Sequence, residues 1–273
     1  MLFVSPNEII ENLQHYKSQG YIIPNPSLIK TSEQIEGIRQ SGKITTQILD
    51  LIEKEIRLGM ATSEIDKLVY DYSIEHNAIP APLNYMGYPR SVCTSINDVV
   101  CHGIPNDYTI LKSGDIVNVD VSTILSGYFS DASRMFMIGN VTSSAKSLVE
   151  VAKECLDIGT RQVKPFSSTN EIGRAIEPFA KQKGYTVVRD LGGHGVGLKF
   201  HEDPHIDHFE KQGKGFLMLP GMVFTIEPMI NQGAYNVKIA RDKWTVTTRD
   251  GSLSAQWEYT LAVTKDGYEI LAW

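Results

Sequence analysis

The sequence predicts an α+β chain of two pseudo-symmetric halves, each a pair of helices followed by strands, with the equivalent strands at the centre of one continuous sheet. Three observations predict it. Apolar residues recur at helical spacing in two blocks, and each block precedes a stretch of alternating apolar residues. The segment SGDIVNVD, residues 113–120, lies on PGMVFTIE, residues 220–227, with a turn glycine, alternating apolar positions and a terminal carboxylate in both. The interval from the first helix start of each half to that carboxylate is also nearly equal, as a duplicated unit requires.

Taken in order, Ser5, Pro6 and Glu8 read as a capped helix start, and Gly20 can end that helix. Two prolines in YIIPNPSLIK make residues 21–30 an extended strap, so 1–30 is expected to be an appendage to a domain spanning 31–273. The spacing of Ile35, Ile38, Ile44, Ile48, Leu49 and Ile52 predicts a helix over 32–56, and a second follows over 62–76. Strand patterns then run through Ile138. The order repeats with helices over 143–158 and 168–183, the latter opened by a capping box of Ser168 with Glu171 and bent at Pro178. Strand-like segments occupy 185–273.

The strand pattern GDIVNVDVSTILSGYFSDASRMF, residues 114–136, carries a carboxylate on each arm. Side chains alternate along a strand, so Asp120 shares a face with Asn118 and Ser122 while Val117, Val119 and Val121 line the other. An even-numbered loop around 125–127 puts Asp131 on the Asp120 face, directly or diagonally across the pair. Two carboxylates so close need a proton or a cation between them; alternatively, this is a solvated outer face, and the hairpin alone leaves both readings open. Glu227 is the counterpart of Asp120, and Glu258 in SAQWEYTLAV repeats the Asp131 pattern. Imidazoles come from VVCHGIP and GGHGVGLKFHEDPH, which supply His102, His194, His201 and His205. Glycines flanking His194 would let a ligand approach closely. HEDPH matches the zinc motif H-E-x-x-H, but Pro204 stands inside the helix that motif needs. GGHGVG lacks the third glycine of a dinucleotide loop and has no following Gly-Lys-Ser/Thr.

The bulk properties narrow the class. A net charge of −6 offers no general attraction to nucleic acid or anionic lipid. Three cysteines, without paired C-x-x-C spacing, suit a reducing cytoplasm better than a disulfide framework or a zinc module. The N-terminus lacks the basic start and apolar run of a signal peptide, and no segment has the length to span a bilayer. A cytoplasmic location is expected.

With these residues in view, NYMGYPRSVCTSINDVVCHGIP, GDIVNVDVSTILSGYFSDASRMF, GGHGVGLKFHEDP, PGMVFTIEPMI and AQWEYTLAV closely resemble the type I methionine aminopeptidases of the bacterial kind, over residues 29–273. The resemblance implies the pita-bread (creatinase/aminopeptidase) fold, with its two halves around a central curved antiparallel sheet. It implies that Asp120, Asp131, His194, Glu227 and Glu258 bind two divalent metal ions, with Asp131 and Glu258 bridging them. Cobalt, manganese, iron and zinc are the candidate metals; four carboxylates balance two dications, and a mainly oxygen shell suits the first three at least as well as zinc. Glu227 would also carry a proton to the leaving amine, and His102 and His201 would hydrogen-bond the substrate beside the scissile bond. Tyr85, Tyr88, Cys93, Phe200 and Trp244 would form the methionine pocket. The implied activity is co-translational removal of the N-terminal methionine before a small second residue, from peptides and nascent chains. Ribosome contact and a monomeric state go with that expectation; membrane and direct nucleic-acid partners do not. The short interval between His201 and Glu227 leaves no room for the helical insertion of type II members, and no Cys-rich zinc-binding extension is present. Two other readings compete: an X-Pro dipeptidase or aminopeptidase P, which usually carries a larger N-terminal domain, and a non-catalytic pita-bread binding module, which should have lost metal-ligand positions.

Overall fold

Thr31 begins the main body by capping a long helix, accepting the Gln34 N–H on its hydroxyl while the Gln34 side chain accepts the Thr31 N–H. This reciprocal box, whose loss costs about 1 kcal/mol, opens α2 (Ser32–Glu55), and its buried stripe of Ile35, Ile38, Ile48, Leu49 and Ile52 faces the sheet. The computed structural model describes residues 13–273. The helix start read at Ser5, Pro6 and Glu8 lies outside them; within them a short helix, α1 (Gln14–Ser18), ends ahead of Gly20 at φ +87°.

After α3 (Thr62–Glu75) come β1 (Ile79–Pro80), β2 (Cys93–Ile96), β3 (Val99–Cys101), β4 (Ile116–Leu125) and β5 (Tyr128–Met137). β4 pairs with β5 along its length, and on its other edge with β2 and β1, all antiparallel. Ser126 and Gly127 form the two-residue loop between β4 and β5, with φ of +52° and +85°. That left-handed pair matches the twist of a hairpin. One face of β4, with Val117, Val119 and Val121, packs beneath α2 and α3 against Ile48, Ile52, Ile65 and Val69.

The second half follows the same order: α4 (Ser143–Thr160), α5 (Asn170–Gln182), then short strands, of which β6 (Thr186–Val187), β10 (Met229–Asn231), β11 (Val237–Ile239), β12 (Val246–Thr248) and β13 (Ser254–Gln256) lie outside its main sheet. Its main sheet runs β15 (Tyr268–Ala272), β14 (Tyr259–Val263), β9 (Val223–Ile226), β7 (Gly193–Gly195), β8 (Glu202–Ile206). Leu148, Leu156, Ile172 and Ile176 of α4 and α5 share a core with Phe224, Ile226, Leu261 and Val263. Both halves thus put helices on the outer face and leave the opposite face of the sheet free for polar residues.

Two details differ from the sequence reading. The helix expected at Ser168 starts at Asn170, because the Ser168 hydroxyl accepts the N–H groups of Asn170 (3.2 Å) and distant Gly215 (3.0 Å), and Glu171 pairs with Arg174 instead of closing a box. The two main sheets join through one bridge, Ser133 with Glu258. β15 occupies one edge of β14 from Thr260 onward and β9 the other, so β5 meets this sheet only at its near end. There the Asp131 N–H donates to Thr260 Oγ1 (3.2 Å), and the Thr260 hydroxyl returns a bond to the Asp131 carbonyl (2.7 Å).

Residues 21–31 run along the second half as a strap. Ile22 bridges Phe216, Ile29 bridges Met222, and the Lys30 N–H donates to the Gly221 carbonyl (2.8 Å). Among the described residues no helix is long and apolar enough to cross a membrane.

Candidate metal centre and substrate pocket

The β4–β5 register pairs Asp120 with Ser133 and Ser122 with Asp131, which sets the two aspartates diagonally across the hairpin on one face. Ser122 Oγ donates to Asp131 Oδ1 at 2.7 Å. From the other sheet, Glu227 follows Ile226 and Glu258 precedes Tyr259, residues paired across β9 and β14. Glu258 is only 1% exposed. His194 sits in the middle of β7, and its N–H donates to Thr225 Oγ1 (3.0 Å). Its Nδ1 lies 3.0 Å from the Gly195 carbonyl, which can only accept, so Nδ1 carries the hydrogen and Nε2 keeps its lone pair. Nε2 stands 3.7 Å from both Asp131 Oδ2 and Glu227 Oε1.

One ligand atom each from Asp131, His194 and Glu258 lie within 4.8 Å of one another, a spacing that a single cation can gather. Asp120 and Glu227 line the same cavity of about 520 Å³. The protonation pattern fits a positive guest. Burial, with the neighbouring carboxylates, pushes Asp131 and Glu258 well above the usual carboxylate range, and burial raises Glu227 to about 8 and Asp120 to about 6. Burial lowers His194 to about 3, which keeps its imidazole neutral and able to ligate. Asp120 Oδ1 is buried with no hydrogen-bond donor. An orphaned carboxylate oxygen amid three other carboxyls is costly unless a proton or a cation meets it, so these residues fit divalent metal.

The glycines beside His194 act differently from the sequence reading. A Cβ on Gly193 would stand 2.3 Å from the Thr225 carbonyl and one on Gly195 2.1 Å from the Asp203 carbonyl. They let β7 fit between its neighbours, not a ligand reach the backbone. Glu202–His205 of HEDPH lie in β8 and His201 in the loop before it, so no helix gathers its histidines. His205 pairs across from His194 but is exposed, 3.4 Å from Asp207 at the rim.

The other candidate residues surround the same cavity. Cys93 is the β2 residue directly opposite Asp120. The Tyr88 hydroxyl donates to the carbonyls of Val92 (3.0 Å) and Gly103 (3.1 Å), and its ring lies edge-on to Trp244 at 5.2 Å. Tyr85 packs on Phe200 at 4.9 Å, and its hydroxyl is 3.1 Å from His201 Nδ1. His102 takes φ +56° at the end of β3, aiming at the cavity beside Trp244. Burial lowers His102 to about 4 and lowers His201, so both are neutral at pH 7.

Three supporting residues escape a sequence reading. Thr225 donates to Glu227 Oε1 (2.7 Å) as well as accepting from His194, so one hydroxyl orients two candidate ligands. Its signal was parity, since it lies two residues before Glu227 on the same strand. Buried His208 accepts the Glu227 N–H on Nε2 (3.1 Å), and Gln256 Nε2 donates to Glu227 Oε2 (3.3 Å). Nothing local in the sequence marks either.

A model of metallopeptidase family M24 matches residues 36–265. The methionine aminopeptidase of Salmonella typhimurium is 48% identical over 244 residues, covering 89% of this chain and 92% of that protein. The crystal structure of the Rickettsia prowazekii methionine aminopeptidase superposes with a TM-score of 0.88 at 46% identity, covering 90% of this chain and 99% of the other. Pyrococcus furiosus prolidase gives 0.70 at 23% identity, covering 90% of this chain and 65% of that one, a likeness of fold alone. The pita-bread architecture expected from the sequence is the one these structures share.

Proposed function

This chain belongs to metallopeptidase family M24, and from that premise we propose that it removes the N-terminal methionine from peptides and newly made proteins whose second residue is small. The observation that carries the reading is the convergence of Asp120, Asp131, His194, Glu227 and Glu258 on a cavity whose other wall is aromatic. Those five residues would hold two divalent cations, with manganese, iron or cobalt suited at least as well as zinc. Bound there, such cations would acidify a water and polarise the scissile carbonyl.

The residues supply the rest. Glu227, held beside the point of attack, would take a proton from the attacking water and deliver it to the departing amine. Thr225, His208 and Gln256 hold that carboxylate and its backbone in place. When the Tyr85 hydroxyl donates to His201 Nδ1, the hydrogen sits on Nε2, which can then donate to the scissile peptide without adding charge. His102, also neutral, would serve from the lining of the same cavity. Such hydrogen bonds, aimed where charge develops, are worth about 10²–10³-fold in rate.

A thioether side chain suits the pocket. Tyr85, Tyr88, Phe200 and Trp244 offer ring edges and faces to sulfur, contacts of about 0.3–1.5 kcal/mol each. Burial holds the Cys93 thiol neutral, a small soft surface. The test is methionine release by chelated and metal-restored protein from Met-Ala-Ser, Met-Lys-Ser and X-Pro peptides. Metal-dependent release from the first is expected. Equal release from the second, or preference for the third, refutes the reading.

A further inference from the structure

We propose that Lys30, on the N-terminal strap, is a positioning residue for His201. The inference rests on the functional reading above and extends it to a residue more than one hundred and fifty positions away in sequence. Lys30 is 2% exposed, and its ammonium forms an ion pair with Glu202, the residue after His201. Glu202 is bound on both oxygens: Oε2 meets Lys30, and Oε1 accepts the N–H groups of Leu198 (2.7 Å) and Lys199 (2.8 Å). The carboxylate therefore ties the backbone of the loop between β7 and β8, which carries Phe200 and His201 into the cavity.

The path of the lysine is built into the fold. Gly197, at φ +137°, would place a Cβ 2.4 Å from Ile38 Cδ1 and 3.5 Å from Lys30 Cε, so a side chain there would crowd the seam between α2 and the lysine stem. Its backbone is fixed as well, by the Lys30 N–H bond to Gly221 in the turn that leads to β9 and Glu227. Glu202 has no other ion-pair partner among the described residues.

Without the ammonium, the Glu202 carboxylate would stand nearly buried and uncompensated. It would have to swing toward water or take up a proton, and either change loosens its hold on Leu198 and Lys199. His201 is exposed and held on its far side by the Tyr85 hydroxyl, so its placement depends on the loop. Displacement of a hydrogen-bonding group by a fraction of an ångström to about 1 Å can cost up to about 10²-fold in rate.

The experiment is a double-mutant cycle on the full-length, metal-loaded protein. Lys30→Met should lower kcat for Met-Ala-Ser about 10- to 100-fold, with KM and metal content near wild type, and Lys30→Arg should restore most of the loss. In a His201→Ala background, Lys30→Met should change kcat by less than about 2-fold, because the group it positions is gone. Equal losses in both backgrounds, or loss of metal in step with kcat, overturns the proposal. Should Lys30→Met fail to fold, Glu202→Gln cuts the same link from the loop side and takes its place in the cycle. The imidazole resonances of His201, followed by NMR, give a readout independent of turnover: they should shift and broaden in Lys30→Met and return in Lys30→Arg. If wild-type protein fails to release methionine the functional reading falls, while unaltered His201 resonances in Lys30→Met would sink the positioning role.

Discussion

Removing metal should turn the centre into a pH-dependent weak point of the fold, on the alkaline side. In the metal-free chain burial holds Glu227 protonated up to about 8, and holds Asp131 and Glu258 well above their ordinary range. In the unfolded chain a glutamate ionises near 4.5. Between those values the unfolded state binds fewer protons than the folded state, so stability falls as pH rises. The histidines act in the opposite direction but in another window. His194 and His208 are lowered to about 3 and His102 to about 4, all from 6.5, so the stability they contribute is full above 6.5 and lost as pH drops below it. From pH 6.5 to 8 the unfolded chain's histidines, half protonated at 6.5, return only about 0.4 kcal/mol each, less than the three carboxyls together withdraw.

Across that interval Glu227 alone loses about 2 kcal/mol, at ~1.4 kcal/mol for each tenfold fall in proton activity. For a chain of this size that lowers Tm by about 4 °C or more, and Asp131 and Glu258 add in the same direction. The assay is a pair of melts of chelated protein at pH 6.5 and 8, repeated with saturating Mn²⁺. Metal should abolish the fall, since its ligands bind deprotonated. Calorimetric titration with Mn²⁺ at pH 7, in two buffers of different ionisation enthalpy, should show release of about one proton or more. A Tm that stays level or rises between pH 6.5 and 8 without metal, or binding with no proton release, would mean that the carboxyls are already ionised and that the electrostatic account of the centre is wrong.

Four further outcomes follow from the same geometry. His194→Ala should lose metal, whereas His102→Ala and His201→Ala keep metal and fold while kcat drops about 10²–10³-fold; equal metal loss in all three would show the histidine roles misassigned. Thr225→Val leaves the buried His194 N–H unpaired and frees Glu227 Oε1; we expect about 2–3 kcal/mol of destabilisation in urea melts and metal binding weakened about 10- to 100-fold, with unchanged metal affinity as the contrary result. Deletion of residues 1–20 should leave active enzyme, because the strap contacts from Ile22 to Lys30 survive, while deletion through Lys30 should not; equal activity of the two purified truncations would contradict this. Glu258→Asp draws the carboxylate back by about 1.5 Å, one C–C bond, and should cut metal content, read by elemental analysis; full metal occupancy would count against Glu258 as a ligand.

What could be read from the sequence followed local periodicity. Alternation placed Asp120 and Asp131 on one face, and an even loop at Ser126 and Gly127 put them side by side. A 3.6-residue apolar repeat was enough for α2, α3 and α4, which bury one continuous stripe each. Sequence reading failed where a side chain chose a distant partner over a near one. Ser168 had the composition of a cap, but Gly215 competes for its hydroxyl. The glycines at 193 and 195 suggested an open approach, yet the carbonyls that crowd them come from Thr225 in β9 and Asp203 in β8. Lys30 ends the segment read as an extended strap, and its partner Glu202 lies far away in sequence. No window of neighbouring residues contains that information.

The duplication explains why one half of the candidate centre uses aspartate and the other glutamate. Asp120 and Asp131 lie inside β4 and β5, within the ladder. Glu227 and Glu258 lie just past the last paired residues of β9 and β14, at the fringe of their ladder. A carboxylate that starts from the fringe needs a longer arm to reach the same point, and the additional methylene supplies about 1.5 Å. The Glu258 N–H donates to the Ser133 carbonyl at 3.1 Å, so this residue is at once the joint between the sheets and a wall of the centre. Neither half holds the set alone: Asp131 enters from one sheet, Glu258 and His194 from the other, and the atoms that could gather a cation come within 4.8 Å only where the two edges meet. A shift of one sheet against the other would therefore disperse the ligands before it exposed much core. That is why the joint is reinforced by the paired bonds of Asp131 with Thr260 and by Asn118, whose amide donates across it to the Gln256 carbonyl at 2.8 Å.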